Sequence, residues 1–374
     1  MSRDNWDRLV SATLKRDQLR QIALCPSLSS SSSIDFSSID FSSRFSLDSL
    51  DFVNEASRIS TETIIAESFS SQPIEFKEIK KATKNFRPDL KIGEGGFGPV
   101  YKGWIHEYNL TAANPGSGMA VAVKKWNPQG FQGHKEWIDE RNYLSKLQHP
   151  NLVKLIGHCS EEDNRLLVYE FMPKGSLDNH LFTSNFYIGR NQSLSWATRI
   201  KVATGAARAL SFLHGLEKQV IHRGFNSGDI LLDGEFNAKL SDFGLARNGP
   251  TGDMTHVSTR VMGTHGYAAP EYVATGHLTA KCDVYGFGVV LLELLTGRRV
   301  IDVSKVLQEQ DLVNWAQSYL LNKRQLKRIM DTKLEGQYPK NEAYIVATLA
   351  SKCISHDPRK RPLMAEVLVA LEKL

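Results

Sequence analysis

Five short motifs stand in a fixed order along this chain, and that order leaves room for few folds. Gly93, Gly95 and Gly98 form a Gly-x-Gly-x-x-Gly loop within Lys91-Ile-Gly-Glu-Gly-Gly-Phe-Gly-Pro-Val100. Without Cβ atoms these positions let backbone N–H groups approach a polyanion closely. The residues that follow, Val100-Tyr101-Lys102, read as a strand and not as a helix, which argues against a dinucleotide-binding fold. Next comes Val121-Ala122-Val123-Lys124, a lysine set in an apolar strand. A cation placed there needs anionic partners. Glu140, on the helical stretch 137–147, is the expected carboxylate, with Glu136 one turn earlier as the alternative. Asp242-Phe243-Gly244, Ala269-Pro270-Glu271 and Asp283 complete the series.

Taken singly, each motif is a turn glycine or a structural ion pair; taken in order, they match the protein kinase pattern. The lysine's second anionic partner is then the phosphate chain of ATP. Hydrophobic periodicity agrees. Strands are predicted at 99–104 and 119–126, and helical spacing takes over from 137, with long stretches at 200–214, 283–296 and 312–321. A strand-rich first part before a helix-rich remainder predicts a small sheet lobe joined to a larger helical lobe, and the motif resemblance implies an α+β, bilobal protein kinase fold. It has a small antiparallel β-sheet N-lobe over 91–172 and a mostly helical C-lobe over 173–374. Ile74, Phe76, Ile79 and Ala82 recur at helical spacing, so a lead-in helix is expected within 73–90.

From about residue 76 to the end the chain resembles the plant receptor-like cytoplasmic kinases. The resemblance is carried by Glu94-Gly-Gly-Phe-Gly-Pro-Val-Tyr-Lys-Gly103, Asn151-Leu-Val-Lys-Leu-Ile-Gly157, Leu166-Leu-Val-Tyr-Glu-Phe-Met-Pro-Lys-Gly-Ser-Leu177 and His256-Val-Ser-Thr-Arg-Val-Met-Gly-Thr-His-Gly-Tyr-Ala-Ala-Pro-Glu271. It implies ATP contacts from Ile92, Gly93, Gly95, Gly96, Phe97, Gly98, Val100, Ala122, Lys124 and Leu231, with Tyr169 behind the pocket and Glu170 to Met172 as an adenine-binding hinge. It also implies Ser258 and Thr259 as phosphorylation positions and Thr264 in a substrate-docking turn. Glu271 is expected to pair with Arg361, Leu144 to stack above His222 and Phe243, and Asp283 to bond the catalytic-loop backbone.

One stretch departs from the pattern. Kinases carry His-Arg-Asp-x-Lys-x-x-Asn in the catalytic loop, and this chain reads His222-Arg223-Gly224-Phe225-Asn226-Ser227-Gly228-Asp229. The aspartate accepts the substrate hydroxyl's proton and aligns its oxygen; Gly224 has no side chain for either task. General-base catalysis is typically worth about 10²–10⁴ in rate. Asn226 replaces a lysine and brings no positive charge to the transferring phosphate. Asp229 replaces the metal-binding asparagine, and its carboxylate is a good hard ligand for Mg²⁺ beside Asp242. Two such carboxylates repel without metal and raise one pKa. Two activities fit: an ATP-binding pseudokinase or very weak kinase serving as scaffold or substrate, or an active serine/threonine kinase.

The rest of the sequence bounds context. Residues 1–72 are serine-rich around a tandem Ser-Ser-Ile-Asp-Phe repeat at 32–36 and 37–41, and are expected to stay disordered, apart from a weak helical signal at 6–24. Cys25, Cys159, Cys282 and Cys353 form no Cys-x-x-Cys pair, which disfavours zinc and disulfides. A net charge of +5 over 374 residues, with basic pairs such as Lys80-Lys81 and Lys323-Arg324, fits solvated helix faces, not nucleic-acid binding. Ser2 stands where myristoylation requires glycine, so a cytoplasmic protein is expected, reaching membranes only through partners such as receptor kinases.

Overall fold

The computed structural model describes residues 71–127, 133–182 and 193–374. The serine-rich segment before residue 71, with its repeat, Cys25 and the helical signal at 6–24, lies outside the described residues.

Six strands build the N-lobe sheet: β1 Gln72–Pro73, β2 Lys91–Gly95, β3 Gly98–Ile105, β4 Met119–Lys125, β5 Leu155–Glu161 and β6 Asn164–Glu170, in the order β1-β5-β6-β4-β3-β2. All neighbours are antiparallel except β1, which runs parallel to β5. That edge depends on Gly157, where an added Cβ would lie 2.5 Å from Ile74 Cδ1 and 2.7 Å from the Gln72 carbonyl. Helix α1, Phe76–Ala82, follows β1 and buries Ile79 and Ala82. Helix α2, His134–Leu144, buries Trp137, Glu140 and Leu144.

Below the hinge the chain is mostly helical. Helix α3 is Leu177–Phe182, and α4, Trp196–Gly215, starts where Ser195 Oγ accepts the Thr198 N–H at 3.3 Å. Val202, Ala206, Leu210 and Leu213 on α4 are buried at helical spacing. Short strands β7 (Val220–Ile221), β8 (Ile230–Leu232), β9 (Ala238–Leu240), β10 (Arg247–Asn248), β11 (Val257–Ser258) and β12 (His277–Leu278) then frame the catalytic and activation segments, with α5, Pro270–Thr275, between the last two. Helix α6, Ala280–Thr296, is apolar on nearly every face and buried along its length, so it forms the axis of this lobe. It ends at Gly297, φ 64°, where a Cβ would lie 2.4 Å from the Asp331 carboxylate. Helices α7 (Leu312–Leu320), α8 (Lys340–Cys353) and α9 (Met364–Leu371) complete the lobe.

Two buried arginines tie distant parts together. Arg199 donates to the Leu194 and Leu294 carbonyls at 3.0 and 2.7 Å and to Asp331 Oδ2 at 2.6 Å. Arg361 grips Glu271 with both terminal nitrogens at 2.6 Å, the pairing expected from the sequence. Cys159, Cys282 and Cys353 are buried free thiols. Removing one partner of a buried ion pair strands the other charge. Arg361→Ala is therefore expected to cost about 3 kcal/mol, read as a lower midpoint in urea unfolding.

Candidate active site

The site is assembled where β4, α2 and the segment after β9 converge on Lys124. Strand alternation turns this side chain inward, and its Nζ donates to Glu140 Oε2 at 2.8 Å and Asp242 Oδ1 at 2.9 Å. Glu140 is thus the carboxylate on α2. Glu136, the alternative, turns away to accept the Gly133 N–H at 2.7 Å and caps the helix start. Burial alone would lower the lysine's pKa, but the charges of Asp242 and Glu140 override it and raise the ammonium above its ordinary value. Asp242 holds a left-handed backbone, φ 61°. Helix α2 is further fixed by Arg247 Nη1 on Asp139 Oδ2 at 2.8 Å and Tyr143 OH on Asn248 Oδ1 at 3.1 Å.

The expected nucleotide contacts surround this point. Val100 pairs with Lys124, Ala122 with Lys102 and Tyr169, and Val121 with Glu170. Leu231, on β8, bridges to Ser176 just past the hinge. Met172 and Tyr169 are buried. The Glu170 side chain is turned to Lys239, whose Nζ reaches both carboxylate oxygens at 2.8 and 2.9 Å. Ile92, Gly93, Gly95 and Gly96 are exposed along the glycine loop. Phe97, expected among the ATP contacts, instead covers the lysine. It is buried, its carbonyl accepts the Asn127 N–H at 2.8 Å, and its ring covers the ammonium 4.9 Å from Lys124 Nζ. Gly98, φ 140°, permits this: a Cβ there would stand 2.3 Å from the Lys125 carbonyl. The loop tip is folded onto β4.

The catalytic loop hangs from Asp283 at the start of α6. Asp283 Oδ2 accepts the His222 N–H and Oδ1 the Arg223 N–H, both at 2.8 Å, and His214 Nε2 lies 2.9 Å from Oδ2. Burial holds the His222 imidazole below its usual pKa, and its Nε2 lies 2.9 Å from the Ser241 carbonyl. Its ring meets Phe243 edge-on at 5.1 Å. Arg223 has φ 71° and a buried guanidinium that bonds Tyr272 OH at 2.9 Å, Thr259 Oγ1 at 3.0 Å and the Arg260 carbonyl. Thr259 is thereby held against Arg223, whereas Ser258 is exposed on β11.

Gly224 leaves a gap in chemistry but not in architecture. A Cβ there would touch only Leu245, at 3.4 Å from Cδ1, an ordinary contact. Asn226 acts as a clamp. Its Nδ2 donates to the Gly224 carbonyl at 2.9 Å, to Asp229 Oδ2 at 2.6 Å and to Thr264 Oγ1 at 3.2 Å, while its Oδ1 accepts the Gly228 N–H at 2.8 Å. Burial, and after it the charge of Asp242, push the Asp229 carboxyl well above the usual carboxylate range. Among the described residues, no three or more His, Cys, Asp or Glu side chains gather as a metal site.

The sequence of the family described as protein tyrosine and serine/threonine kinase matches residues 87–371. PBL3, a probable serine/threonine-protein kinase of Arabidopsis thaliana, is 60% identical over 332 residues, covering 89% of this chain and 77% of the relative. Receptor-like cytoplasmic kinase 176 of Oryza sativa subsp. japonica is 55% identical over 314 residues, 84% of this chain and 79% of its own length. The chain belongs to the plant receptor-like cytoplasmic kinase family. A site feature that sequence reasoning missed is the polar chain beneath the catalytic loop: Ser227 Oγ lies 3.1 Å from Tyr267 OH, which donates to Glu293 Oε1 at 2.7 Å. Glu293 sits within an apolar run, so its burial had no signal beyond the run itself.

Burial raises the Glu293 pKa from 4.5 to about 7, against the hydrogen bonds from Tyr267 and Ser227. The folded protein therefore keeps a proton that the unfolded chain releases, and this contribution to stability is complete below pH 4.5 and lost as pH rises to about 7. Glu293→Gln removes the titration. Its stability relative to the parent is expected to rise by about 3 kcal/mol across that range, followed by urea unfolding at stepped pH.

Proposed function

We propose that this chain is an ATP-binding pseudokinase, or a kinase of very low turnover, that works in receptor-kinase signalling as scaffold or substrate. The observation that carries this reading is the catalytic loop: no carboxylate stands at Gly224, and the nearest substituted one, Asp229, is engaged by Asn226. Asp229 lies five residues along and accepts both the Asn226 side-chain and backbone N–H groups, at 2.6 and 3.2 Å. It is not free to replace the missing base.

Nucleotide retention is supported by Lys124, held charged between two carboxylates in the position that would pair with phosphates. Asp229 and Asp242 offer hard oxygen ligands of the kind Mg²⁺ takes. Mg²⁺ would supply charge neutralisation between phosphates and the two aspartates. Phe97 has to leave the ammonium before phosphates reach it, so binding requires the glycine loop to lift. A cytoplasmic setting and receptor-kinase partners are read from the family; no described helix is long and apolar enough to cross a membrane.

A second reading, an active serine/threonine kinase, is favoured by the relatives' own descriptions, PBL3 being a probable serine/threonine-protein kinase. Phosphotransfer to a generic acceptor separates the two. The purified chain is expected to lie at background, and Gly224→Asp combined with Asn226→Lys and Asp229→Asn to gain at least about 10²-fold. At position 224 the added side chain meets only an ordinary contact with Leu245. Equal rates for parent and reversion would sink the pseudokinase assignment. In thermal-shift measurements Mg-ATP is expected to raise the melting midpoint, and ATP with EDTA to leave it unchanged, since nothing then screens the phosphates from Asp242.

A further inference from the structure

Beside α2, at the edge of the N-lobe sheet, two guanidinium and two imidazole groups gather around one indole, and neither guanidinium has an ion-pair partner among the described residues. Trp137 is buried at their centre. Arg141 stands 5.0 Å and Arg165 5.9 Å from its ring, His134 stacks on it at 5.8 Å, and His158 meets it edge-on at 6.1 Å. Arg141 bonds only the Asn142 side chain, and Arg165 the Glu162 and Asn164 carbonyls; neither makes an ion pair among the described residues. Arg165 Nε is buried with no hydrogen-bond partner. Both guanidinium groups lie against one indole and keep donors that an anionic oxygen could take.

A hydroxyl already reaches this cluster. Ser71 Oγ lies 3.0 Å from His158 Nδ1, just ahead of β1 and at the end of the serine-rich stretch. Its attachment is short: β1 pairs only Gln72 with Gly157 and Pro73 with His158. Ile74 anchors the far end, donating to the His158 carbonyl at 2.8 Å from a buried position, so opening is confined to the residues before it and exposes the hydroxyl.

We propose that Ser71 is a phosphorylation site and that His158, Arg141 and Arg165 receive its phosphoryl group. The modifying enzyme is a protein kinase acting in trans with ATP. The Ser71 Oγ–P bond forms as the bond from Pγ to the departing ADP breaks, and the hydroxyl proton passes to that enzyme's base. The product carries about −1.5 to −2 charges and three strong acceptors. It supplies the counter-charge the arginines lack and fastens β1 to α2, the helix that holds Glu140 over Lys124. Ser71 is thereby a control point on α2 independent of the activation segment.

The test uses the full chain with phosphoserine placed at position 71 by site-specific incorporation. Its melting midpoint is expected to rise by about 2–4 °C. Its ³¹P resonance should titrate well below the value of about 6 for an exposed phosphoserine. Both effects should vanish with Arg141→Gln and Arg165→Gln together, and shrink with Arg141→Gln alone, which serves if the double variant does not fold. A ³¹P midpoint near 6, or a rise in melting midpoint that survives loss of the arginines, overturns the receiving cluster. Phosphopeptide mapping of the chain from expressing plant cells that finds Ser71 unmodified overturns the acceptor assignment.

Discussion

Everything at the centre of this molecule turns on keeping one ammonium group charged out of water. Lys124 has a side chain only 12% exposed, and Glu140 beside it only 1%. An isolated cation at such a position would lose its proton. Two carboxylates, one from α2 and one from the segment after β9, prevent that, and in doing so they fix sheet, helix and lower lobe to a single point. The rest of the N-lobe serves this junction: Arg247 and Tyr143 pin α2 from below, and the Trp137 cluster pins it against β5.

The lower half of the site follows a different logic. Asp283 suspends the catalytic loop by the backbone of His222 and Arg223, so its entry is set independently of the side chains displayed beyond it. Substitution at 224, 226 and 229 therefore changes what the loop presents without changing where it enters. Asn226 makes the altered set self-consistent, because its amide meets the carboxylate at 229 and the N–H at 228 together. An added Cβ at Gly228 would stand 2.9 Å from Asn226 Oδ1, so the clamp and the glycine belong together.

Much of the fold was legible because its signals are local and repeated. The helical stretches expected at 200–214, 283–296 and 312–321 correspond to α4, α6 and α7, and each starts or ends within a few residues of its observed limit. The kinase motifs located Lys124, Asp242 and Asp283 because their order is specific. What stayed hidden depends on tertiary geometry. Periodicity alone left Glu136 and Glu140 one turn apart on one helix, and the Lys124 bond to Glu140 together with the capping bond at Gly133 separates them. The parallel edge strand β1 has two residues and no alternation to betray it. Phe97 sits in a glycine-rich loop whose composition permits many courses, and the inward one is set by contacts with β4.

The surroundings of Arg223 have a consequence for the activation segment. This guanidinium is nearly sealed from solvent, yet among the described residues its hydrogen bonds go to neutral oxygens, from Tyr272, Thr259 and Arg260. Dipoles act over short range, so dissolved ions that weaken charge pairs leave such an anchorage almost untouched. The segment is docked by shape and direction, indifferent to ionic strength, until something bearing a full negative charge arrives beside it.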